Sequence, residues 1–470
     1  MDTREFREQA HHLVDWMADY YEQVRNYPVK SQVQPREILT QLPATPPSGA
    51  EQFEQIFADF ERIIMPGMTH WQHPSFFGYF PANSSMPSVL AEMLTATLGT
   101  QCMIWQTSPA AAELEERMMQ WLGQMLGLPE GFEGVIQDTA STATLCSILT
   151  AREKDSSFQI NERGFDNTKY TLYCSTETHS SIEKAVKIAG LGRASLRKIP
   201  VDDTFAMIPA ELERAIAQDQ ASGYVPLCVV ATIGTTGSTA IDPIRAIGEI
   251  CRRQHVWLHV DAAYAGTALL LPEMRWMADG LEYADTFVFN PHKWMLTNFD
   301  CTAYYVRDKV ALIRTFEILP EYLKTAEGDR VNNYRDWGIP LGRRFRALKL
   351  WFVIRTYGVE GLQSIIRTQL EYTKMILREI EMSSDFELLA PAPLSLICFW
   401  YHPKGLDDPQ ELNEINELLM NRLNATGKLF LTHTKLRGAF TLRMVIAQTQ
   451  VTEADVRAAW ELIQMTARGL

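Results

Sequence analysis

Three short stretches of this chain put chemistry-bearing residues where an apolar run stops. In HVDAAYAG (259–266), Asp261 follows the apolar run VWLHV, and the small residues Ala262 and Ala263 leave room for a flat ring. A carboxylate at such a place can ligate a metal or bind a ribose. It can equally hold a proton on a pyridine nitrogen, through a charge-assisted contact worth roughly 1.5 to 3 kcal/mol. In FVFNPHKW (287–294), one βαβ-like step further on, Lys293 stands just past a second apolar run. Desolvating an ammonium is costly, so lysine is rarely buried; in a pocket that lowers its pKa it becomes an amine nucleophile for an aldehyde. In QDTASTATL (137–145), Thr139, Ala140 and Ser141 open a helix as a strand ends. Free backbone N–H groups and a hydroxyl at a helix N-terminus form an anion cradle.

Taken singly, each stretch has an ordinary explanation, such as a capping threonine or a surface lysine. Taken together and in this order, an anion cradle, a carboxylate and a lysine match the phosphate, ring nitrogen and aldehyde of pyridoxal 5'-phosphate (PLP). Two further stretches join them. THSSIEKA (178–185) sets His179 before a helix that Ser180 and Glu183 are expected to start as a capping box, and a neutral imidazole there can stack on a pyridine ring and handle protons. ATIGTTG (231–237) ends another apolar run with Thr235 and Thr236, which can bond cofactor oxygens or simply form a turn.

The elements that must position these residues are strands. From about 134 to 306, GVIQ, YTLYC, CVVATI, VWLHV, TFVFN and TAYYV alternate with helical stretches. Their apolar runs are continuous rather than alternating, as expected for parallel strands covered on both faces, so the fold class is α/β with a mostly parallel doubly wound sheet. Ligands of such sheets sit at the carboxyl ends of the strands.

Before this region, Phe6, Ala10, Leu13, Met17 and Tyr20 form one apolar helical face that must be buried against something. A proline-punctuated segment and a second helix at about 51–64 follow. After it come two long helices over about 343–382, the strand LICFWY, a hairpin LFLTHT/FTLRMVIA turning at Arg437-Gly438 and a closing helix at about 453–467, which together suggest a small C-terminal α+β unit. The expected division is an N-terminal helical arm (1–85) packing on a partner subunit, a large cofactor-binding domain (86–360) and a small C-terminal domain (361–470).

Composition bounds the function. With 470 residues the chain exceeds the roughly 250 to 300 that one core can hold, and 46% hydrophobic with 21% charged residues is ordinary for a globular enzyme. The net charge of -13, with no Lys/Arg run, argues against a nucleic-acid partner. The charged N-terminus MDTREFREQAHHLVDW is unlike a signal peptide, and no apolar stretch reaches the ~18 residues of a membrane span, so a cytoplasmic protein without a membrane partner is expected. Seven cysteines without CxxC spacing read as buried reduced thiols, and no metal is called for.

The stretches HWQHPSFFGYFP (70–81), GVIQDTAST, HVDAAYAG, NPHKW with NFDC (298–301), and IPLGRRFRALK (339–349) resemble signatures of the group II PLP-dependent decarboxylases, in particular those acting on aromatic L-amino acids. The likeness covers almost the whole chain. It implies a PLP-dependent transferase fold of type I and a homodimer with the active site at the subunit interface. By this resemblance Lys293 matches the Schiff-base lysine, Asp261 the pyridinium partner and His179 the stacking histidine. Thr139, Ala140, Ser141, Thr236, Ala263, Asn290 and His292 match other cofactor contacts. Trp71, Tyr79, Phe80 and Pro81 match an aromatic substrate wall, with Ala82, Met103 and Gly342 beside it. Tyr322, in LPEYLKTAEGDRVNNY (319–334), matches the proton donor of a mobile loop.

The chain departs from animal members at Ala82, where they carry threonine, and at Gln101 and Met103, where they carry apolar and aromatic residues; Gly342 matches plant relatives that take indole substrates. The resemblance therefore implies decarboxylation of an aromatic L-amino acid (Trp, 5-hydroxy-Trp, DOPA, Tyr or Phe) to its amine. The alternative is an aldehyde synthase of the same family, in which oxygen intercepts the carbanion. Retention of Tyr322 and His179 favours the amine. A nicotinamide dehydrogenase is disfavoured because no GxGxxG follows a strand.

Overall fold

Five of the seven strands in the larger sheet are buried along their full length or nearly so, which is why their sequences read as unbroken apolar runs. The computed structural model describes residues 1–318 and 330–470. The strands are β1 (Glu133–Gln137), β2 (Tyr170–Ser175), β3 (Leu196–Ile199), β4 (Val225–Thr232), β5 (Trp257–Asp261), β6 (Thr286–Phe289) and β7 (Thr302–Val306), in the order β1-β7-β6-β5-β4-β2-β3. β7 is antiparallel to both neighbours, and every other pair is parallel. The carboxyl ends of β1, β6, β5, β4 and β2 therefore open on the same edge, where a doubly wound sheet binds its ligand.

The helix Ala140–Asp155 packs against this sheet through Leu145 and Ile148 in one apolar cluster and Ala143 and Cys146 in another. β3 was not expected. Its residues LRKI include two charges and lie partly exposed at the sheet edge, so the run lacks the apolar signal of its neighbours. All seven cysteines are buried thiols.

The chain forms two compact units, one of residues 82–371 with 390–396, holding the seven-stranded sheet, and one of residues 1–81, 372–389 and 397–470. The second contains a four-stranded sheet in the order β10-β11-β9-β8, with β8 (Phe386–Leu388), β9 (Leu396–Tyr401), β10 (Thr432–Leu436) and β11 (Ala439–Val445). Its core sets Leu419, Leu423, Trp460 and Ile463 of two helices against Phe399 and Leu442 of the sheet. The β10–β11 hairpin turns on Arg437 and Gly438, both at positive φ (51° and 89°), as a two-residue turn between right-twisted strands requires. The closing helix Glu453–Ala467 starts at a capping box of Thr452 and Asp455.

One expectation needs correction. Ser180 makes no side-chain cap, and Glu183 pairs with Arg193 at 3.2 Å, so the capping box before Ser181–Ile188 does not form. The N-terminal helix Thr3–Gln23 is half-covered within the chain, Trp16 packing edge-on against Phe57 at 5.9 Å and Phe60 at 5.4 Å, while Phe6 stays 58% exposed. The two long helices follow one another from Arg346 to Met382, broken at Gly358, whose φ of 64° no helix can contain.

Candidate active site

β5 ends in Asp261, whose side chain is buried and accepts the N–H of Ala263 at 3.0 Å. That bond turns the chain sharply as it leaves the strand. β6 runs out into Asn290, which precedes the short helix Pro291–Trp294 carrying Lys293. The two strand ends are joined directly, because Asn290 N–H donates to the carbonyl of Ala263 at 2.9 Å. Below them the ring of Tyr264 stacks on Trp294 with centroids 4.8 Å apart, and Trp294 Nε1 donates to Gln369 Oε1 at 2.6 Å. The indole next to Lys293 is thus anchored in the core, and HVDAAYAG is locked to NPHKW.

Electrostatics link the residues at this edge. Burial pushes the Lys293 pKa down, and the Asp261 carboxylate acts in the opposite direction. The same carboxylate and Lys293 both act on His179, whose pKa is lowered mainly by burial. Asp261, Lys293 and His179 therefore lie within reach of one another's charge. His179 follows β2, and its Nδ1 is 2.7 Å from Ser181 Oγ and accepts the Ser181 N–H at 3.2 Å. With Nδ1 used as an acceptor, the proton of the neutral ring sits on Nε2. The imidazole, rather than Ser180, meets the first amide of that helix.

The anion cradle stands at the end of β1. Thr139 caps the helix Ala140–Asp155, its Oγ1 accepting the N–H of Thr142 at 3.3 Å. This leaves the N–H groups of Ala140 and Ser141 with no partner inside the helix. Thr302 Oγ1 ties this corner to the lysine's strand, donating toward Asn290 Oδ1 at 2.9 Å and lying 3.0 Å from the carbonyl of Asp138. Thr302 was not singled out from the sequence, since a threonine inside an apolar strand carries no signal of its own. Thr236 is exposed in the loop after β4, whereas the buried Thr235 Oγ1 accepts the N–H of Ala240 at 3.0 Å and stabilises that loop. His292 Nδ1 faces the backbone of Cys301 (3.0 Å to its N, 2.8 Å to its O), and burial lowers the ring's pKa to about 4.

The residues fit PLP at each of its handles: an amine made nucleophilic by burial, a carboxylate at a neighbouring strand end, and unsatisfied amides opening a long helix. Among the described residues no group of three or more His, Cys, Asp or Glu side chains is arranged to hold a metal ion, and no helix is long and apolar enough to cross a membrane.

The residues matched to a substrate wall divide between the units. In one, Trp71 stacks on Tyr79 (5.7 Å) and Arg443 lies over Phe80 (5.5 Å), leading to the buried Pro81. In the other, Gly342 lies beside Gln101, whose Oε1 accepts the Arg343 N–H at 2.6 Å, and the carbonyl of Met103 accepts the N–H of Arg335 at 2.9 Å; Ala82 is partly buried. Tyr322 lies outside the described residues.

The pyridoxal-dependent decarboxylase conserved domain matches residues 35–402. The chain is 43% identical to aromatic-L-amino-acid decarboxylase of Mus musculus, over 98% of this chain and 97% of that protein. It is 41% identical to phenylacetaldehyde synthase of Arabidopsis thaliana, over 99% and 94%. The structure superposes with a TM-score of 0.94 on Catharanthus roseus tryptophan decarboxylase in complex with L-tryptophan, at 39% identity, covering 100% of this chain and 99% of that one. A half-buried lysine, a strand-end carboxylate and an anion cradle, in a chain matched over its whole length, have one common explanation: the protein belongs to the pyridoxal-dependent decarboxylases, and PLP is its cofactor.

Proposed function

We propose that Lys293 holds the aldehyde carbon of PLP, that Asp261 holds a proton on the ring nitrogen, and that the amides of Ala140 and Ser141, with Thr139 and Thr236 nearby, receive the phosphate. The observation that carries this assignment is that the strand ends bearing Asp261 and Lys293 are adjacent at one edge of the sheet and joined by the Asn290–Ala263 hydrogen bond of 2.9 Å. The reaction is the PLP-dependent decarboxylation of an aromatic L-amino acid to the corresponding amine and CO2.

When bound, PLP supplies an electron-withdrawing ring that accepts the electrons left behind as CO2 departs. The chain's residues do the rest. A lowered pKa leaves more of the Lys293 amine unprotonated and able to attack a carbonyl. Asp261, held by the Ala263 N–H, is the carboxylate that would meet the ring nitrogen. His179, neutral with its proton on Nε2, offers a flat face for stacking and one donor. Trp71, Tyr79, Phe80 and Pro81 in one unit, and Ala82, Met103 and Gly342 in the other, are each proposed substrate contacts, and Tyr322 is the proposed donor of the proton that completes the amine. Retention of Tyr322 and His179 supports amine over aldehyde as the product.

The apolar side chains that Thr3–Gln23 leaves exposed, Phe6 and Val14, support a homodimer in which this helix packs on the second copy, with the active site at the interface. Seven buried thiols support a cytoplasmic location.

The test is to incubate the purified protein with Trp, 5-hydroxy-Trp, Phe, Tyr and DOPA and quantify amine, aldehyde and CO2. Amine with matching CO2 is expected from at least one of them. Aldehyde with matching oxygen uptake would assign the synthase reaction, and no CO2 from any would overturn the assignment. Light scattering on the same sample reports whether two chains associate.

A further inference from the structure

His259 lies two residues before Asp261 on β5, on the same face of the strand, and is fully buried. Its Nε2 is 3.1 Å from Oγ1 of Thr144 in the helix Ala140–Asp155. Its Nδ1 is 2.8 Å from Oγ1 of Thr286, its register partner at the start of β6. Thr286 Oγ1 in turn lies 2.7 Å from Ser147 Oγ, further along the same helix, and Ser147 accepts Trp257 Nε1–H at 2.9 Å. Burial holds the imidazole pKa down at about 4, although Asp261 pulls it upward. A neutral imidazole has one donor and one acceptor, and a hydroxyl on either side can complement whichever it meets. Both ring nitrogens are thereby engaged and no charge is buried.

The helix bonded by Thr144 is the one whose first-turn amides form the anion cradle, and the strand bearing His259 is the one that ends in Asp261. We propose that His259 is a positioning residue, a neutral strap that sets the spacing between the anion cradle and the Asp261 carboxylate. This rests on the assignment of those two groups to PLP made above. PLP carries its phosphate and its ring nitrogen at a nearly fixed separation, so a scaffold that grips both must not let the helix and the strand drift apart. Thr286 extends the strap to β6, which leads to Lys293. His259 acts through how tightly the cofactor is held, and the aromatic side chain of the substrate does not feel it.

The test compares holoenzymes of the parent, His259→Leu, His259→Gln, Thr144→Val, Thr286→Val and the double variant His259→Leu/Thr144→Val. The rate at which cofactor absorbance is lost on dilution is measured together with kcat, KM and the melting temperature. Loss of two buried hydrogen bonds should make His259→Leu release the cofactor about tenfold faster. KM for the amino acid should stay within about twofold while kcat falls. Thr144→Val should move release in the same direction by a smaller factor, and the double variant should release no faster than His259→Leu, because the strap is already broken. His259→Gln keeps a donor and an acceptor and should recover part of the retention. Release at the parent rate in His259→Leu, or single-variant factors that multiply in the double variant, overturns the proposal. If His259→Leu does not fold, parent-rate release in both Thr144→Val and Thr286→Val overturns it equally. A parent without cofactor absorbance overturns the PLP assignment and the strap with it, whereas a parent that holds cofactor with variants that match it overturns the strap alone.

Discussion

Asp261 and Lys293 stand at the ends of neighbouring strands, where the carboxylate partly offsets the effect of burial on the ammonium. Burial thus disfavours the ammonium while a carboxylate at the neighbouring strand end favours it. Lys293→Ala removes the only group proposed to attach the cofactor. The variant is expected to fold, to lose amine production, and to show no cofactor fixed to the chain by borohydride in intact-mass measurement. Amine formation at the parent rate would remove Lys293 from the mechanism.

Asp261→Asn keeps the shape of the side chain and its bond from Ala263 but removes the charge. A charged contact worth roughly 1.5 to 3 kcal/mol corresponds to a loss of about 10- to 150-fold in kcat. Retained cofactor absorbance would show that the site still forms. Parent-like kcat would refute the role assigned to the carboxylate.

Gly266 closes HVDAAYAG because a Cβ there would overlap the Cβ of Phe289 on β6 and press on Ala262. Gly266→Ala should push the end of β5 away from the end of β6 and destabilise the protein by ~1 to 3 kcal/mol, the usual range for overpacking a filled core. Thermal melting checks this, and an unchanged melting temperature would mean the strands can separate without loss.

Asp285 precedes β6 and accepts the N–H of Leu258 at 2.8 Å, and burial raises its pKa from 3.8 to about 6. The folded state therefore takes up this proton more readily than the unfolded chain, so the group's contribution falls as pH rises from 3.8 through 6. Asp285→Asn removes that dependence while keeping an acceptor for Leu258. The variant should match the parent near pH 4 and exceed it above pH 6, by on the order of 2 kcal/mol. Denaturant melts at several pH values decide the matter, and a gain confined to acid pH would have the wrong sign.

Tyr322→Phe addresses the proposed proton donor. The variant should still release CO2 but yield mainly aldehyde, ammonia and peroxide with oxygen uptake, because the carbanion left after CO2 loss is no longer protonated promptly. Amine at the parent rate without oxygen uptake would show that another group supplies the proton.

Much of the sheet was legible because buried parallel strands leave long apolar runs, and those runs end at Gln137, Thr232, Asp261 and Phe289 close to where their composition changes. The hairpin at Arg437-Gly438 and the closing helix were legible for local reasons, a turn needing positive φ and a threonine cap. β3 was missed because an edge strand can carry Arg197 and Lys198 without penalty. The capping box at Ser180 failed because a tertiary contact, Glu183 with Arg193, competed for the glutamate.

Residue types and local composition are enough to name the groups that can take part: a lysine, a carboxylate and an anion cradle, each at a strand end and in a fixed order along the chain. Strand ends are set by local composition, so that much needs no knowledge of the fold. Long-range packing is what makes Asn290 bond Ala263 across two strands, anchors Trp294 to Gln369, and clamps His259 between Thr144 and Thr286. Those partners are far apart in the chain, and a histidine inside an apolar run looks like any other buried residue. What distinguishes it is the pair of hydroxyls that the helix and the next strand bring to its ring, and no local pattern encodes that meeting.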